Sequence, residues 1–121
     1  MSADLQSELV CNKGVFSDES EALSEIVRRL VARLDPGSIW LFGSRARGTA
    51  RPDSDFDLLL VAKRGGHFGS DDYDYVYRPV IGLGVGCDIV PCSAEDFEAA
   101  AEIKTTLVAR VLAEGRRLYD A

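Results

Sequence analysis

The chain has 121 residues, 46% of them apolar and 28% charged, and carries a net charge of −6. These values fit one globular domain and exclude a disordered or low-complexity chain. No apolar run in the sequence approaches the ~20 residues needed to cross a bilayer, and the net charge argues against the broad basic face that extended duplex binding needs.

Residues 1–16 hold only a weak apolar pattern and are assigned to an N-terminal extension, with the domain over 17–121. The opening MSADLQSELV has neither the basic start nor the apolar stretch of a secretory signal. Cys11, Cys87 and Cys92 lack metal-type spacing, so reduced thiols in a cytoplasmic protein are expected. Residues 18–34 form the clearest helix: Leu23, Ile26, Val27, Leu30, Val31 and Leu34 make one apolar stripe. Asp18 and Glu21 have capping-box spacing, and Asp35-Pro36-Gly37 stops the helix.

Ile39-Trp40-Leu41-Phe42 reads as a short buried strand ended by Gly43-Ser44. Ser44 to Thr49 suits a short helix, and Phe56 to Val61 a second strand. Lys63 to Ser70 is a glycine-rich loop containing His67, the single histidine, which is read as a plain loop residue. Tyr73, Tyr75 and Tyr77 alternate like a strand, but Tyr73, Val76, Tyr77, Val80 and Ile81 also fit a helix face. A kinked or short helix is favoured because Pro79 suits neither a helix interior nor a central strand. The three tyrosines are assigned to packing or partner contact. Val85 to Val90 gives a third strand, stopped by Pro91. Ser93 caps a helix over 94–102 with Asp96 at the reciprocal position. A last helix covers about 105–114 with Gly115 at C′, and Leu118-Tyr119 adds an extended end. Strands alternating with helices indicate an α/β layer fold.

One constellation carries chemistry. In a strand, residues i and i+2 share a face, so Asp55 and Asp57 point the same way. Their mutual repulsion calls for a cation, and hard oxygen donors suit Mg²⁺ or Mn²⁺. Mg²⁺ completes its octahedron with water and substrate phosphates, so such a site expects a phosphorylated substrate. Gly43 lets backbone approach a ligand, and a helix starting at Ser44 turns free N–H groups toward phosphate. Arg45, Arg47 and Arg51 add positive charge. If the third strand lies beside the second, Asp88 completes the metal site and can accept a proton. Cys87 should then face the opposite, core side.

Gly43-Ser44, ten residues, then Asp55-Phe56-Asp57 resembles the signature of the DNA polymerase β-like nucleotidyltransferase superfamily. The compact form resembles the minimal nucleotidyltransferases (MNT), partners of HEPN-domain proteins in toxin–antitoxin pairs. The resemblance spans about residues 20–119, while the Gly- and Tyr-rich segment between the second and third strands matches poorly. It implies a small mixed β-sheet flanked by helices. It also implies a triphosphate on Gly43 and Ser44 and two metal ions on Asp55, Asp57 and Asp88, while Arg45 and Arg47 are read from their charge as further nucleotide contacts. The implied activity is transfer of AMP from ATP to a hydroxyl, such as a tyrosine of a HEPN toxin, so that the enzyme acts as antitoxin. Two other readings stay open: an antitoxin that masks its partner without chemistry, and a small-molecule transferase of the aminoglycoside type. The second relative normally carries an added acceptor domain, and about 30 residues follow Asp88 here.

Overall fold

The computed structural model describes residues 11–121. Helix α1 (Glu19–Leu34) starts at Asp18, whose carboxylate accepts the Glu21 N–H at 2.8 Å. The box is not reciprocal, because the Glu21 carboxylate takes the Ser17 hydroxyl instead. Asp35 ends the helix in the left-handed region at φ 48° and donates its N–H to Val31. Then follow β1 (Ser38–Phe42), α2 (Ser44–Arg47), β2 (Phe56–Val61), α3 (Tyr73–Tyr77) and a 3₁₀ turn over Arg78–Val80. β3 (Cys87–Cys92), α4 (Ala94–Ala101), α5 (Leu107–Glu114) and β4 (Arg116–Asp120) complete the chain.

The strands form one mixed sheet in the order β3-β2-β1-β4. β1 pairs antiparallel with both β2 and β4, while β2 and β3 run parallel. This is the expected α/β architecture, with residues 43–55 as an excursion from the β1–β2 hairpin. Alternation then sorts the side chains. Ile39, Leu41, Phe56, Leu58, Leu60, Cys87 and Ile89 join the core under α1, against Ala22, Ile26, Leu30 and Leu34. Leu59, Val61 and Cys92 pack on Val108 and Val111 of α5, with Trp40, Phe42, Val90 and Phe97 at the margin.

Four local readings change. Residues 11–16 are hydrogen-bonded to the domain through Asn12, although the sequence pattern leaves them in the extension; residues 1–10 lie outside the described residues. β3 begins at Cys87 and continues through Pro91, which pairs in register with Leu60. Gly86 and Cys92 carbonyls accept from Phe56 and Ala62, so even-numbered residues face β2 and the missing Pro91 N–H faces the open edge. Gly115 is extended, with φ −78°, so a left-handed cap is not its reason. A Cβ there would lie 2.5 Å from the Val111 carbonyl and 2.9 Å from that of Leu41, which only glycine allows. Finally, the Ser93 cap accepts the Asp96 N–H at 3.0 Å, but Asp96 reaches Ser70, not Ser93. The Ser70 hydroxyl donates to Asp96 at 2.6 Å and accepts the Ser93 N–H at 3.0 Å, pinning the glycine-rich loop to α4. The favoured short helix in the tyrosine segment is present, and Pro79 lies within the 3₁₀ turn that follows it.

Candidate active site

Register brings the acids together. Phe42 of β1 pairs with Asp57 of β2, and Asp57 pairs with Asp88 of β3, so one row crosses three strands. By alternation this row lies on the face that holds Leu59, Val61 and Val90; Phe42 still packs at the margin of that cluster, while Asp57 is half-buried and Asp88 exposed. Asp55 precedes β2, and its Oδ1 lies so close to Gly86 that a Cβ there would collide with it. Cys87 falls on the other face and is buried, as its parity requires.

Asp55 and Asp88 are exposed and Asp57 is half-buried. Burial, then the charges of Asp88 and Asp55, push the Asp57 carboxyl above its ordinary value of 3.8, with Arg47 opposing. Among the described residues no hydrogen bond or ion pair engages these three side chains. No three acid, imidazole or thiol groups there close into a ready-made metal cage. The acids instead form an open row of mutually repelling hard oxygen donors. That donor set fits Mg²⁺ or Mn²⁺ with the remaining positions filled by water and phosphate.

The Gly43-Ser44 turn borders this row. Gly43 has φ 73° and ψ −155°, a conformation that side chains disfavour. A Cβ on Gly43 would also collide with Asp57 Oδ2, so glycine lets the carboxylate and the turn touch. The Ala46 and Arg47 N–H groups turn back to the Gly43 carbonyl, leaving those of Ser44 and Arg45 without an acceptor among the described residues.

The arginines divide. Arg47 is exposed and close enough to Asp57 to lower its pKa. With Gly43, Phe42, Leu107 and Arg110 it lines a small pocket of 120 Å³. Arg45, expected at the nucleotide, is turned elsewhere. Its guanidinium donates to the Ser54 carbonyl at 2.8 and 3.0 Å and to Pro52 at 3.2 Å, and stacks over Phe56 at 4.3 Å. Its Nε and Nη2 are thus taken up by loop carbonyls and its Nη1 lies 3.7 Å from the Glu19 carboxylate, so it holds the 51–54 loop in shape. Arg51 extends outward to Asp53 at 3.4 Å.

The profile of the nucleotidyltransferase domain family matches residues 21–118. The chain belongs to this family. It is 33% identical over 108 residues to the inferred protein adenylyltransferase MJ0604 of Methanocaldococcus jannaschii, covering 84% of this chain and 99% of that one. An inferred nucleotidyltransferase from Sulfolobus solfataricus shares the fold at TM-score 0.56 and 23% identity, covering 81% of this chain and 77% of that one. A toxin–antitoxin crystal structure with AMP-PNP does so at TM-score 0.54 and 21% identity, covering 79% and 72%.

Two residues of this nucleotidyltransferase escape a sequence reading. Asn12 donates to the Ser54 and Gly86 carbonyls at 2.9 and 2.8 Å and accepts the Gly86 N–H at 2.6 Å. It thereby ties together the segments that lead into Asp55 and Asp88. A lone Asn in a weakly patterned segment carries no such signal. Arg110 reaches the Gly43 pocket from the exposed side of α5, and helical periodicity marks it only as solvated. Burial, with the charges of Asp88 and Asp55 adding, raises the Cys87 thiol to about 11, so it stays protonated. His67 is exposed in its loop. A wider groove of 630 Å³ between α1 and β4 includes no carboxylate.

Proposed function

We propose that this nucleotidyltransferase transfers AMP from ATP to a hydroxyl of a partner protein in the cytoplasm and so acts as an antitoxin. The observation that carries this reading is the row Phe42–Asp57–Asp88, with Asp57 touching Gly43 at one end. Asp55, Asp57 and Asp88 would hold Mg²⁺ or Mn²⁺, which when bound aligns and polarises the α-phosphate and offsets leaving-group charge. Free N–H groups at Ser44, with Arg47 and Arg110, meet the β- and γ-phosphates. The acceptor oxygen bonds to the α-phosphorus as the bond to the bridging β-phosphate oxygen breaks. Asp88 takes the acceptor proton, and pyrophosphate leaves on the Gly43 side.

The M. jannaschii relative, named for protein adenylylation, supports a protein acceptor. The toxin–antitoxin neighbour with AMP-PNP supports adenine nucleotide and an antitoxin setting. The resemblance to MNT proteins points to a HEPN-type toxin and a tyrosine on it as acceptor. Incubation with α-labelled ATP, Mg²⁺ and the product of the neighbouring reading frame tests the proposal. Label on that protein is expected. Tight complex formation without label would replace transfer by masking, and label only on a small molecule would refute a protein acceptor.

A further inference from the structure

We infer that the acceptor enters through the cleft between α3 and β3, and that this cleft selects a basic polypeptide segment carrying the hydroxyl. The inference rests on the transfer reading above and adds the direction of approach and the chemistry of the segment. An in-line displacement puts attacking and leaving oxygens on opposite sides of the phosphorus. With pyrophosphate on the Gly43 side, beside β1, the acceptor must come from beyond β3, the open edge of the sheet. A cleft of 400 Å³ lies there, with Asp88 in its lining.

Its walls are built to hold a side chain. Tyr73, Tyr77 and Ile81 remain 53%, 38% and 62% exposed, an unusual clustering of large apolar groups on one short helix and turn. Flat tyrosine rings bind at low conformational cost and pack well against another aromatic ring. Tyr77 lines the same cleft as Asp88, which places its ring beside the acids. The cleft is also negative. Asp74 and Asp88 line it, the exposed Asp71 and Asp72 come just before α3 in the chain, and the one cation in its lining, Arg78, is drawn over the Tyr75 ring at 5.9 Å. That charge favours lysines and arginines flanking the acceptor and repels an acidic segment.

The test uses two random copolymers of equal tyrosine content, one lysine–tyrosine and one glutamate–tyrosine, with α-labelled ATP and Mg²⁺. The wild-type chain should label the lysine copolymer at least about tenfold more than the glutamate one. Ile81→Arg, at an exposed site, should abolish most of that labelling while leaving ATP·Mg²⁺ binding unchanged. Tyr73→Ala should weaken it without changing ATP affinity. Equal labelling of the copolymers, or undiminished labelling by Ile81→Arg, would overturn the inference. Labelling of neither, with ATP·Mg²⁺ bound normally, would overturn it and leave the nucleotide site standing. Failure of the wild-type chain to bind ATP·Mg²⁺ would remove both readings.

Discussion

The two faces of the sheet use alternate residues of the same strands to opposite ends. Under α1, the row beside the acids is Leu41, Leu58 and Ile89, and the face stays apolar to its tip at Phe56 and Cys87. On the other face Leu59, Val61 and Val90 pack on the C-terminal helices, but the row at Phe42 continues into Asp57 and Asp88. One face maximises burial. The other stops burying two residues early and leaves like charges side by side, at a cost that a bound cation would offset. A site placed on the strands of a packed sheet is held more rigidly than one on loops.

The largest effect should come from removing the repelling centre. Asp57→Asn is expected to lower transfer roughly a thousandfold or more, the scale of losing transition-state charge stabilisation. It should not lower the melting temperature of the metal-free protein. Because the folded carboxyl titrates above its ordinary 3.8, ionising it disfavours the fold. Stability in chelator should therefore fall as pH rises from the ordinary value through the raised one, and the Asn variant should lack that slope. A drop in melting temperature matching the activity loss would make Asp57 structural.

On the apolar face, Leu58→Ala should cost about 2–5 kcal/mol in urea unfolding, with the ATP KM of the remaining folded protein unchanged. Leu58 is fully buried, so the loss is cavity and contact, not chemistry. A large KM change with normal stability would break the division between faces.

The arginines sharpen the contrast on a smaller scale. Arg47→Ala and Arg110→Ala should each raise the ATP KM about tenfold with little change in melting temperature. Arg45→Ala should do the reverse, costing about 1–2 kcal/mol of stability through the lost loop clamp while sparing KM. Equal behaviour of Arg45 and Arg47 would contradict their separate placements.

The smallest effect lies on α1, remote from the acids. Glu25 pairs with Arg28 and Arg29, which hold its carboxyl at about 2, down from 4.5. Its stabilising contribution is present above pH 4.5 and lost as pH falls toward about 2. Glu25→Gln should flatten that part of the acid-unfolding curve slightly, with activity untouched. The pair is solvent-exposed, so a large shift would be unexpected.

What the sequence made legible follows the same physics. Long periodic patterns located α1 and the paired strands, and parity alone put Asp57 on one face and Cys87 on the other, while Asp55 lies just before β2, outside the alternation. The Gly43-to-Asp57 spacing marked two residues that the fold does bring together, with glycine required by its backbone conformation and by the Asp57 carboxylate against it. The misread features depend on partners distant in the chain. Pro91 could extend β3 only because β3 is an edge strand, a fact of sheet order. Arg45 and Arg47 sit two residues apart on one turn, and which of them faces Phe56 and the 51–54 loop is set by packing. Asn12 matters through carbonyls 42 and 74 residues away, beyond the reach of any local pattern.

A crystal structure with Mg²⁺ and a non-hydrolysable ATP analogue tests the central claim most directly. The account predicts β- and γ-phosphates against the Gly43-Ser44 turn and the α-phosphate facing Asp55, Asp57 and Asp88 through shared metal. Phosphates bound away from that turn, or metal bound without contact to Asp57, would contradict it.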